Sequence, residues 1–138
     1  KLYISRIAEN LSTLIKGGLP IIKALEVTGR VVGNAVYASI IAKSMEEVKA
    51  GNTISSVFQK EPRVPPMVGA MISVGERSGK IDSILASLSR FYSREVDNMV
   101  ANLTTLIEPL IIVVLGGAVA GLVSSILLPI YNVVSTVQ

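Results

Sequence analysis

The chain has 138 residues, one domain's length; half are hydrophobic, 17% are charged and the mean hydropathy is +0.59, too apolar for an ordinary soluble domain and indicative of a membrane-embedded part. It has no cysteine and no histidine, which excludes disulfide frameworks, Cys- or His-ligated zinc and every His-dependent triad. The net charge of +3 comes from bases interleaved with acids, and aromatics make up 4%, so no basic, aromatic-studded stripe for nucleic acid emerges.

Leu2, Ile7, Leu11, Leu14 and Ile15 recur at helical spacing and predict a first helix, stopped by Gly17 and Gly18. Pro20 suits the first turn of a second helix carrying Ile21, Leu25 and Val27 or Thr28, which Gly29 and Gly33 weaken. Asn34 caps a third through its side-chain oxygen, with Val36, Tyr37, Ile40, Ile41, Met45 and Val48 as its stripe and Gly51 as its stop. Within it, Ser44-Met45-Glu46-Glu47 imitates a capping box, but the apolar period runs straight through. Asn52 or Thr53 caps a short helix through Val57 and Phe58, and the proline-rich KEPRVPP that follows is an irregular connection.

A fifth helix is expected from about Pro66 to Arg77, leading into VGERSGKID, Val74 to Asp82. This stretch has the glycines, hydroxyl and lysine of a phosphate loop but not their order: the position for the first glycine holds Val74, and Ile81 follows Lys80 where magnesium needs a hydroxyl. It reads instead as a helix corner, with Ser78 and Gly79 ending one helix and Asp82 complementing the positive end of the next.

From Ile81 the stripe Ile84, Leu85, Leu88, Tyr92, Val96, Met99, Leu103 and Leu106 continues without a stop signal. One very long helix is predicted; from Asp82 to Tyr131 it would extend roughly 75 Å, more than a small bundle can cover. All charged side chains lie between Lys1 and Glu108, and the uncharged run Pro109 to Tyr131 would span about 34 Å against a hydrocarbon core of roughly 30 Å. Arg90 and Arg94 precede this run and no base follows it, which orients the bundle to the cytoplasm. Pro109 removes an N–H that would bond the Thr105 carbonyl, so a bend relieved by a threonine hydroxyl is expected there. Gly116, Gly117 and Gly121 let a second helix approach closely.

The fold class is therefore all-α: a small antiparallel bundle of about six helices whose last helix continues into a single transmembrane helix. The expected divisions are a cytoplasmic bundle over 1–105, a membrane helix over 106–133 and a short far-side tail over 134–138. Candidate interaction or structural residues are Gly75, Glu76, Gly79, Glu108, Pro109, Gly117 and Gly121, with no catalytic, cofactor or metal residue assigned. Glu76 stands in the last turn of its helix, where the dipole disfavours a carboxylate, so it needs a donor from the next helix's start or from Lys80. Glu108 either marks the membrane boundary or pairs within an assembly.

GGLPIIKAL, VKAGNTISSVF, PPMVGAMISVGERSGKIDSIL, FYSREVD and LIEPLIIVVLGGAVAGLVSSILLPIY together resemble, in order and spacing, the bacterial type II secretion F family. Members carry two related halves, each with a cytoplasmic bundle and membrane helices, and the chain resembles the C-terminal half. The resemblance implies an inner-membrane platform of a type IV pilus or type II secretion machine rather than an enzyme. Its implied partners are a cytoplasmic assembly ATPase, pilin or pseudopilin subunits, other inner-membrane assembly proteins, further copies of itself and membrane lipid; no cofactor and no nucleic acid are implied. The alternatives are a membrane-anchored Ser-Lys hydrolase using Ser12 and Lys16 or Ser39 and Lys43, and a transporter or channel subunit. An intramembrane aspartyl protease would need Asp82 and Asp97, both upstream of the apolar run.

Overall fold

The computed structural model of the protein describes residues 1–137. Six helices follow one another, α1 (Leu2–Lys16), α2 (Ile21–Val31), α3 (Ala35–Lys49), α4 (Ile54–Lys60), α5 (Pro66–Ser78) and α6 (Ile81–Thr136), with no strand among the described residues. The first compact unit is Lys1–Asp97 and a second begins at Asn98, so α6 contributes residues to both. The last residue of the expected tail, Gln138, lies outside the described residues.

Local chemistry sets the helix ends. Asn34 Oδ1 accepts from the N–H groups of Val36 and Tyr37, and Thr53 Oγ1 accepts from Ser56 N–H, each filling donors that a helix start leaves unpaired. Pro20 stands just before α2 rather than in its first turn, while Pro66 opens α5, where its missing N–H is no loss. α3 runs unbroken through Ser44, whose buried hydroxyl donates to the Ile40 carbonyl instead of capping anything. At the end of α5, Gly79 takes φ +68°, and Lys80 N–H reaches back to the Gly75 carbonyl at 3.0 Å. A side chain there would sit in the left-handed region, so glycine is the economical residue.

In the first unit, successive helices from α1 to α5 pack on one another around Ile4, Ile7, Leu11, Leu25, Ile40, Ile41, Phe58, Ile72, Leu85 and Leu88. Two expected positions differ: Leu2 is exposed and Ile4 takes its place in the core, and Val36 is exposed at the start of α3. Of the pair offered on α2, Thr28 is the buried one. The face a helix turns inward is set by its neighbours, and serines and threonines occupy part of it. Between α1 and α6 this is systematic. Ser5 Oγ donates to the Ser89 carbonyl and Ser12 Oγ to the Asp82 carbonyl, at 3.3 and 2.9 Å, while Ser5 and Ser93 hydroxyls lie 2.7 Å apart and Lys1 Nζ is 2.7 Å from Glu95. As the α1 number rises the α6 number falls, so the two helices are antiparallel, with hydroxyl contacts repeating every seven residues on each.

In the second unit α6 is helical throughout, and every side chain from Asn98 to Val137 is exposed. The stripe residues Met99, Leu103 and Leu106 are exposed on the continuing helix. The helix continues across Pro109 and Pro129. The Thr105 hydroxyl donates to the Ala101 carbonyl at 3.0 Å, so it does not relieve its own carbonyl, which Pro109 deprives of a donor.

Candidate functional site: the Glu76 corner and the apolar segment

Glu76 closes on a segment far from it in sequence. Its Oε1 accepts from Ile54 N–H at 2.6 Å and its Oε2 from Ser55 N–H at 3.2 Å. The donors are thus the first turn of α4, not the start of α6 or Lys80 as the local argument expects. With Thr53 taking Ser56 N–H, three donors at the start of α4 are filled, and a carboxylate at a helix N-terminus is favourable by charge as well as by hydrogen bonding. A seven-residue helix cannot hold itself together in water, so α4 relies on this cap and on its buried Ile54 and Phe58.

The glycines around Glu76 allow close approach. A Cβ on Gly75 would lie 3.1 Å from Ile81 Cα and Ile84 Cβ, so its missing side chain lets the end of α5 meet the start of α6. Gly69, which periodicity does not single out, is tighter: its Cβ would lie 2.7 Å from Gln59 Cγ and 2.9 Å from Gln59 N, at the crossing of α4 and α5. The signal that points to it is a glycine inside a helical run without a nearby stop. The corner is a joint in which Gly75 and Glu76 meet other helices, while Gly79 supplies the left-handed turn and faces open space.

Glu108 and Pro109 stand on α6 in the second unit, both exposed. Glu108 has no ion-pair partner among the described residues. Gly117 and Gly121 face open space, and the hydroxyls of Ser124 and Ser125 bond back to the Ala120 and Gly121 carbonyls. α6 is long and apolar enough to cross a membrane, and none of its apolar 18-residue stretch is buried.

The Ser-Lys pairs are not assembled as nucleophile and base. The Ser12 hydroxyl is bonded to the Asp82 carbonyl, the Ser39 hydroxyl donates to the Val36 carbonyl at 2.7 Å, and neither touches its lysine among the described residues. No group of three acidic residues able to hold a metal occurs among them either. Two titrations depart from the ordinary. Hydrogen bonding and charge from Lys23, reinforced by Arg30, hold the half-buried Glu26 carboxyl below its usual range, and burial lifts the Tyr92 phenol above its usual range.

A packed helical unit followed by a bare apolar helix defines a membrane-associated helical protein. The chain belongs to the family described as type II secretion system (T2SS), protein F, whose profile matches residues 7–129. It is 35% identical over its whole length to the type IV pilus assembly protein PilC of Thermus thermophilus and 39% identical, over 96% of the chain, to the type IV pilus assembly protein TapC of Aeromonas hydrophila. The type II secretion system protein F of Pseudomonas aeruginosa is 30% identical over 93% of it. The chain spans about a third of each of these relatives, 34%, 32% and 32% of their lengths.

Proposed function

We propose that the chain is part of an inner-membrane platform of a type IV pilus or type II secretion machine. Its bundle faces the cytoplasm, and it couples an assembly ATPase to the insertion of pilin-like subunits. The observation that carries this reading is α6 itself, one helix from Ile81 to Thr136 that begins in the packed unit and ends in the apolar segment. A continuous helix resists bending more than a loop does, so a force applied to the bundle reaches the apolar segment. Arg90 and Arg94, with no base after Glu108, support the cytoplasmic orientation. Family membership and the pilus and secretion names of the relatives support the class of machine.

A flexible glycine linker inserted near Val100 of the parent protein should abolish piliation or secretion while leaving membrane insertion intact. Assembly at the unmodified level would refute the mechanical part. Co-purification of the protein with an assembly ATPase from the same cells tests the coupling, and its absence under conditions that retain other partners would refute it. In this reading Gly117 and Gly121 pack against a second membrane helix, and Glu108 meets an assembly partner at the boundary.

A further inference from the structure

Two open grooves lie on the first unit, and their charges differ. The one between α3 and α4, about 260 Å³, is lined by Lys43 and Lys60 but also by Glu47 and Glu61, which cancel them. The one between α1 and α6, about 210 Å³, is lined by Lys16 and Arg90 and only one acid, Glu9, so one positive charge is left over.

Three donors line the second groove, and none of them is bonded to an acid among the described residues. Among the described residues neither Lys16 nor Arg90 is ion-paired, whereas Lys1, Lys23, Arg30 and Lys49 all are; the only side-chain contact of Arg90 is with Ser87 Oγ at 3.3 Å. Ser89 also lines the groove, is only 9% exposed, and its hydroxyl has no hydrogen-bond partner among the described residues, the neighbouring bond from Ser5 being taken by its carbonyl. A carboxylate accepts several such bonds at once, and charge-assisted ones are the strongest available to it. The single surplus positive charge matches a monoanionic carboxylate better than a phosphate dianion, which Glu9 would repel.

We propose that the α1–α6 groove takes an aspartate or glutamate side chain from an acidic segment of a partner protein, held between Lys16 and Arg90 with the Ser89 hydroxyl beneath. The inference rests on the reading of the chain as an assembly protein only for the existence of such a partner, not for the chemistry of the groove.

The test is fluorescence anisotropy of the full chain in maltoside micelles with a labelled peptide, Gly-Ser-Glu-Leu-Gly-Ser-Glu-Leu, at fixed ionic strength. Because no secretion machinery is involved, failure here leaves the platform reading standing, and loss of that reading leaves the result standing. The double variant Lys16→Gln, Arg90→Gln should weaken binding at least tenfold. Lys43→Gln with Lys60→Gln removes the same charge at the balanced groove and should change binding less than twofold. All four positions are on the surface, and circular dichroism checks that the variants keep their helices. Equal losses in the two double variants, or no binding by the unmodified chain, overturn the proposal. So does competition by inorganic phosphate at peptide-like concentrations, which would make the groove a small-anion site instead.

Discussion

Replacing Glu76 with alanine tests the central joint of the bundle. The change strips the carboxylate from Ile54 N–H and Ser55 N–H, which stand in the first turn of a seven-residue helix. Loss of one ordinary helix cap costs about 0.5–2 kcal/mol, and a hydrogen bond to a charged group contributes about 1.5–3 kcal/mol. Both donors belong to residues that are themselves buried, so water replaces the lost acceptor poorly; Thr53 still holds Ser56 N–H, so the helix start is not stripped bare. Together these place the loss at about 2–3 kcal/mol, roughly a 60-fold rise in the unfolding constant, against a total of about 5–15 kcal/mol for an ordinary domain.

The assay is amide hydrogen exchange by NMR on the chain in detergent, paired with denaturant unfolding followed by tyrosine fluorescence, since the chain has four tyrosines and no tryptophan. Ile54 and Ser55 should lose protection first and most, with amides inside α3 following only as far as global stability falls. Glu76→Gln, which keeps one oxygen acceptor and no charge, should lose about half as much. An unfolding midpoint in Glu76→Ala equivalent to less than about 0.5 kcal/mol of change, with Ile54 still protected, would show that the carboxylate does not hold α4.

Three further changes have directions fixed by the packing. Gly69→Ala should destabilise by about 1–3 kcal/mol and more than Gly75→Ala, because the new methyl at 69 meets Gln59 backbone at 2.9 Å while that at 75 has 3.1 Å; equal midpoints would refute the ordering. Thr28→Val should stabilise by about 1 kcal/mol, since the Thr28 hydroxyl is fully buried without a hydrogen-bond partner; a lower midpoint would mean the hydroxyl has one. The raised Tyr92 pKa gives stability that is complete below the unfolded value near 10.0 and is lost as pH rises through the higher folded value. Alkaline unfolding above about pH 10 should therefore be steeper in the unmodified chain than in Tyr92→Phe, and identical pH profiles would contradict it.

Signals carried within a few residues were legible in the sequence: the Asn34 and Thr53 caps, the Gly79 corner and the uncharged run after Glu108 each depend only on near neighbours. What was not legible depends on where a distant element arrives. The dipole argument says correctly that Glu76 needs a donor, but its donors lie more than twenty residues upstream, and nothing local distinguishes the first turn of α4 from that of α6. Gly69 shows in the sequence only as a glycine inside a helical run, and it is the crossing with α4 that makes its missing side chain matter. An apolar period also passes over Ser5, Ser12, Ser89 and Thr28, which are buried although their side chains are polar. For the candidate site residues on the apolar segment, the sequence supplies composition, and a helix whose side chains are all exposed adds no contacts to it.

That exposure still constrains what surrounds the apolar segment. In hydrocarbon every backbone polar group needs a partner, and α6 supplies them internally except where proline intervenes. Thr104, Thr105, Ser124 and Ser125 all turn their hydroxyls back onto carbonyls one turn earlier, which hides the hydroxyls themselves. Pro109 and Pro129, however, each leave the carbonyl four residues before them, on Thr105 and Ser125, without an N–H donor. The two carbonyls are not equivalent. Thr105 precedes Glu108, the last charged residue, so water at the boundary can serve it. Ser125 lies inside the uncharged run, about 9 Å of helix before Tyr131, where water is scarce. Its carbonyl is therefore the place on this segment where a hydrogen-bond donor from a neighbouring helix is worth most. The small residues Gly121 and Gly117, one and two turns before it on nearly the same line of the helix, are what would let that neighbour come close.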